Sequence, residues 1–214
     1  MRPASADVLY HVLNRANVLR TLFDDDGDYA AFERVLMQAS ERLSMRLLAH
    51  GVMPNHGHLI VWPRHDGDLS RFMNWLTLTH TQRWHQHRHS AGEGHVYQGR
   101  FKSFPVETSE YLLTVGLYVE RSGPVPRGTI GAMALEQRRD VRSRFMRGPM
   151  ERPAEWLLWV NEGEPHEQLH AVRRSVTKGQ PYGSEPWMEW MVMQWNLGET
   201  VRGRPKKELV NNGS

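Results

Sequence analysis

The chain has 214 residues, with 27 Lys and Arg against 24 Asp and Glu, a formal charge of +3, twelve histidines and no cysteine. That length suits one domain, or one domain with an appendage, around a sizeable core. The absence of cysteine excludes disulfides, thiolate metal sites and cysteine nucleophiles, so chemistry falls to histidines, carboxylates or hydroxyls. A pI of about 9.4 suits a polyanionic partner. No apolar stretch approaches the roughly 20 residues that span a bilayer, and MRPASADVLY lacks a signal-like hydrophobic region, so the expectation is a soluble, cytoplasmic protein with no membrane partner.

VLYHVLN, residues 8–14, alternates and is β-branched enough to be a first strand. The acidic run DDDGD then suits a helix N-terminus, and residues 28–43 set Phe32, Val35, Leu36, Ala39 and Leu43 on one helical stripe. MRLLAHGV, 45–52, reads as a second strand, turned back at Met53 to Asn55 onto the stretch HGHLIVWP. In a strand, side chains reverse direction at each residue, so His56 and His58 share a face and Gly57 points to the other. Two imidazoles on one face can grip a transition-metal ion and leave coordination positions open, as a catalytic ion requires. The alternative is a pair of hydrogen-bonded core or rim histidines.

Gly67-Asp68 begins a second helix from about Leu69 to His87. It runs into RWHQHRHSAGEG, whose His85, His87 and His89 form a rival metal candidate, with cationic histidines facing the helix dipole as the plainer explanation. FKSFPVE, 101–107, carries Pro105 and therefore predicts an edge strand, and Thr108-Ser109-Glu110 opens a third helix to about Arg121. The order βαββαβα predicts an α+β sandwich of two or three layers with a mainly antiparallel sheet. The texture changes near Pro124, giving a core domain at 1–123, a helical extension at 124–200 and a basic tail at 201–214. Within the extension, 186–198 predicts a helix whose Trp and Met positions pack on the body rather than stack on bases.

MPNHGHLIVWP (53–63), HVYQGRFKSF (95–104) and EYLLTVGLYVER (110–121) resemble, in order and spacing, three blocks of the REP-associated tyrosine transposases, relatives of the Y1 HUH single-stranded-DNA transposases. LYHVLNRAN and RRSVTKGQPYGSEPW are similar to members of the same group, so the resemblance spans most of the chain except roughly 123–165. It implies that His56 and His58 hold a divalent ion, Mg²⁺ or Mn²⁺, and that Tyr118 attacks a DNA phosphate to give a 5′-phosphotyrosine and a free 3′-hydroxyl. The implied substrate is single-stranded DNA carrying a short imperfect hairpin, and the implied state is a monomer, with a dimer, as in some related transposases, as the alternative. Arg15, Arg100 and Lys102 suit phosphate oxygens, and Tyr97 and Gln98 an unpaired base. Arg202 and Arg204, in VRGRPKK, resemble an AT-hook core that enters a narrow minor groove, with a basic disordered tail as the alternative.

The sequence departs from the family at two places. Gly57 stands where a hydrophobic residue is usual, and Ser122 stands four residues after the tyrosine, where Asn or Gln supplies a further metal ligand. A serine hydroxyl is a shorter and weaker ligand than an amide carbonyl. Two other functions therefore stay open: a hairpin-DNA-binding protein of the same fold that does not cut, and a metal-dependent phosphoesterase that uses water.

Overall fold

The computed structural model describes residues 5–17, 20–122, 149, 153–161 and 166–195. Strand β1 (Leu9–Arg15) is followed by helix α1 (Asp26–Arg42), the hairpin β2 (Arg46–Met53) and β3 (His56–Trp62), helix α2 (Asp68–His87), strand β4 (Lys102–Val106) and helix α3 (Glu110–Arg121). Three more helices are described in the extension: α4 (Trp156–Asn161), α5 (His166–Lys178) and α6 (Glu185–Gln194). This is the α+β order read from the sequence. The four strands lie in the order β2-β3-β1-β4, and every neighbouring pair is antiparallel.

The sandwich has three layers, because each sheet face buries its own apolar set. On one face Tyr10, Val12, Leu47, Leu59 and Val61 meet Phe32, Val35 and Leu36 of α1 and Leu69, Phe72 and Leu76 of α2. On the other, Leu9, Ala49, Ile60 and Val106 meet Leu112, Val115 and Val119 of α3 and Val172 of α5. The central strands β1 and β3 are apolar on both faces for this reason. A bulge between Leu47 and Ala49 adjusts β2 against β3.

The acidic run caps α1 as expected: Asp25 accepts from the Asp28 amide at 3.0 Å, while Asp24 and Asp28 each pair with Arg88 at 2.6 Å, fastening the start of α1 to the end of α2. Strand β4 lies at the sheet edge, as Pro105 requires, and the extension covers it. The Tyr182 amide donates to the Pro105 carbonyl at 2.9 Å, and the Glu107 amide donates to the Tyr182 carbonyl at 2.9 Å. Trp195 stacks on Tyr10 with ring centroids 5.9 Å apart and so packs as expected, and Trp156, upstream of that helix, is buried. Trp190 departs from that expectation at 50% exposed, and Trp159 is 37% exposed. The sequence reading did not resolve α4 and α5 as separate helices, and it ran α6 on to 198, beyond its end at Gln194.

Candidate functional site

Both histidines of the pair lie at the start of β3, which begins at His56. The register sets Arg15 opposite His56, Asn14 opposite Gly57 and Leu13 opposite His58, and on the far side of β1 Leu13 faces Lys102. Alternation then places His56, His58, Arg15 and Lys102 on one sheet face, towards the same end. That face is the one covered by α3. Tyr118, half-buried on α3, sets its ring edge-on to His58 with centroids 5.4 Å apart.

A third histidine completes the cluster. His11 of β1, 2% exposed, lies diagonally across the strands from His58, and its Nε2 is 2.8 Å from His58 Nδ1. Its ring also lies 5.8 Å from that of Tyr118 and 6.0 Å from that of Phe104, between centroids. Periodicity puts Leu9, His11 and Leu13 on one face of the first strand, but which face meets the HGH strand, and in which register, depends on pairing between distant segments. The sequence reading therefore missed His11. Gly51 lies opposite His58 on the other side and adds no side chain there.

Burial sets the protonation of this cluster. It pushes His11 down to about 3 and lowers His58 far below the ordinary histidine value, with His11, His56 and Arg15 adding like-charge repulsion. His56 is lowered by burial and by Arg15. All three imidazoles are thus neutral near pH 7, the form that binds metal. Burial raises the Tyr118 phenol, while the positive charges of Arg173 on α5 and Arg15 pull it the other way. Arg173 is a second residue that the sequence reading missed.

His56 donates from Nδ1 to the Asn55 side-chain carbonyl at 2.6 Å, which leaves its Nε2 as a lone pair. The donor set, two neutral imidazoles with rings 5.2 Å apart on one strand, fits a first-row divalent ion better than it fits Mg²⁺ alone. Among the described residues no group of three or more His, Asp or Glu side chains gathers as a closed metal site would need. Ser122 caps the C-terminus of α3 one turn beyond Tyr118, and its hydroxyl donates to the Tyr118 carbonyl at 2.7 Å.

The other sequence candidates divide. Gln98 and Arg100 are exposed, and the Gln98 amide donates to the Arg15 carbonyl at 2.8 Å, so this segment runs beside the site. Tyr97 instead turns to the opposite face, where its ring packs on the α1 and α2 core and its hydroxyl meets His80 Nδ1 at 2.7 Å. Arg202 and Arg204 lie outside the described residues. In the rival cluster, His85 is held by Ser90 Oγ at 2.9 Å and by the Gly94 carbonyl at 3.2 Å, so both ring nitrogens close the loop after α2.

Gly57 opens a small apolar cavity on the face away from the site, lined by Val12, Phe32, Leu59, Met73 and Leu76. A Cβ built there would meet only the Gly51 carbonyl, at 3.9 Å. No described helix is long and apolar enough to cross a membrane.

A REP-associated tyrosine transposase bound to a REP hairpin is 17% identical, with a TM-score of 0.45 over 56% of this chain and 68% of that one. A candidate transposase from Deinococcus radiodurans R1 is also 17% identical, with a TM-score of 0.39 over 55% of this chain and 92% of that one. None of the curated proteins compared with the chain matches it. The family model described as "Transposase IS200 like" matches residues 4–122, more than half of the chain and the whole span from β1 to α3. The protein belongs to the IS200-like transposase family.

Proposed function

We propose that this transposase cleaves and rejoins single-stranded DNA at hairpin-forming sequences, with Tyr118 as nucleophile and His56 and His58 as ligands of a divalent ion, Mg²⁺ or Mn²⁺. The observation that carries this reading is the meeting of the Tyr118 ring with His58, from two elements far apart in sequence, on the face that also bears His56 and Arg15. His56 and His58 would hold the ion, which would polarise the scissile phosphate and favour departure of the 3′ oxygen.

The Tyr118 oxygen forms a bond to phosphorus as the bond from phosphorus to the 3′ oxygen breaks. The phenol proton is lost, the 3′ oxygen gains one, and the 5′ phosphate stays on the tyrosine. Arg15 and Arg173 favour the phenolate and suit the phosphate oxygens, offsetting part of the cost that burial places on deprotonation. Because the phosphodiester is exchanged rather than hydrolysed, attack by a 3′-hydroxyl restores it without an energy-supplying cofactor. Gln98, Arg100 and Lys102 lie on segments bordering the site and serve the DNA track, with Arg202 and Arg204 as further contacts from the basic tail. Ser122 at most assists the ion, since a serine hydroxyl is shorter and a weaker ligand than the amide carbonyl of Asn or Gln.

That weaker ligand, with Gly57 between the histidines, favours a second reading, a hairpin-binding protein of the same fold that no longer cuts. Labelled single-stranded DNA bearing a hairpin, mixed with protein and Mn²⁺, separates them. The nucleophile reading expects a denaturant-resistant adduct from the wild type that EDTA and Tyr118→Phe both abolish. Binding that persists in EDTA without any adduct supports the non-cutting protein, and cleavage that survives Tyr118→Phe supports a phosphoesterase using water.

A further inference from the structure

We propose that His11 and Asn55 are positioning residues that fix the proton on Nδ1 of His58 and of His56, so that both Nε2 lone pairs are presented to the same ion. The proposal rests on the reading of His56 and His58 as ligands. A neutral imidazole has one donor and one acceptor nitrogen, and the hydrogen bond made by one nitrogen decides the role of the other. The Asn55 carbonyl oxygen can only accept, so the 2.6 Å contact puts the proton of His56 on Nδ1.

His58 has the same arrangement with a different acceptor. Its Nδ1 faces His11 Nε2 at 2.8 Å, and both rings are 2% exposed. One proton must lie between these nitrogens, because two lone pairs or two protons at that distance would repel without solvent relief. If His11 donated, His58 would carry its proton on Nε2 and could bind an ion through neither nitrogen. If His58 donates, its Nε2 keeps a lone pair, as the Nε2 of His56 does. His11 then bears its own proton on Nδ1. The box of Phe104, Tyr118 and His58 rings around His11 holds the acceptor in place. Partners of this kind are characteristic of metal-binding histidines, and their loss commonly weakens metal binding by about 10–100-fold.

Long-range ¹H–¹⁵N correlation spectra of the metal-free protein read each tautomer directly, and a Mn²⁺ titration followed by electron paramagnetic resonance reads affinity without turnover. The expected result is a non-protonated Nε2 on both His56 and His58 in the wild type. His11→Phe keeps the ring volume but removes the acceptor; it should move the His58 proton to Nε2 and weaken Mn²⁺ binding about tenfold or more. His11→Gln supplies a side-chain carbonyl and should recover much of both. A wild-type His58 protonated on Nε2 overturns the proposal whatever the metal does, as does a His11→Phe protein with unchanged tautomer and affinity. The expected tautomers with no Mn²⁺ binding would instead overturn the ligand reading.

Discussion

Gly57 shows what the lack of a side chain leaves open in a sheet. One face of its strand carries the two histidines, and the other opens onto an apolar cavity. Adding a Cβ brings ordinary contact with the Gly51 carbonyl at 3.9 Å, so Gly57→Ala meets no steric barrier. The substitution also reduces the freedom of the unfolded chain, and a gain of about 0.5–1 kcal/mol is expected, read as a higher urea midpoint with an unchanged slope. A loss of stability would show that the backbone here needs glycine. The same scale marks the limit of the sequence. His56 and His58 stood out as a pair because strand alternation sets them on one face, and Tyr118 stood out only through the resemblance to a family. His11 was not, because a histidine in an apolar strand gains meaning only from the neighbour that tertiary pairing gives it.

At the scale of elements, local pattern carried β1 through α3 because strand alternation, helical stripes and the Asp25 cap all agree with the tertiary arrangement. Pro105 gave the edge position of β4 by the same logic. The extension was less legible: α4 and α5 owe their places to contacts with α3, such as Trp156 Nε1 donating to Glu120 at 3.1 Å, and no local motif encodes that. Its anchoring yields a prediction. The Ser184 amide donates to Glu107 at 2.5 Å beside Gly183, where an added Cβ would lie 2.6 Å from the Trp187 ring and 2.7 Å from the Glu107 Cβ. Gly183→Ala should therefore force α6 away from β4 and cost about 1–3 kcal/mol. Faster proteolysis near residue 183 with a lower melting temperature is the expected result, and an unchanged digestion pattern would show that the contact yields freely.

Across the whole molecule, buried neutral histidines tie stability to pH. His80, packed between Phe23, Phe32 and Tyr97 on the face away from the site, is pushed down to about 4 by burial, with Asp28 opposing. Between the unfolded value near 6.5 and that of about 4 the unfolded chain binds the extra proton, so this contribution is complete above 6.5 and is lost as pH falls. The depression corresponds to on the order of 3 kcal/mol for this group. Urea unfolding from pH 7 to 4.5 should show a falling midpoint that His80→Gln flattens; equal slopes in both proteins would remove His80 as the cause.

The fold brings one phenol and two imidazoles together from α3 and β3, and the account stands on what that phenol does. The most direct test is to incubate the protein with hairpin-bearing single-stranded DNA and Mn²⁺, digest protein and DNA, and identify the modified peptide by mass spectrometry. The account predicts a nucleotide 5′-phosphate joined to Tyr118 in the peptide from α3. A nucleotide on any other residue, or cleaved DNA bearing free ends with Tyr118 unmodified throughout the reaction, would contradict it.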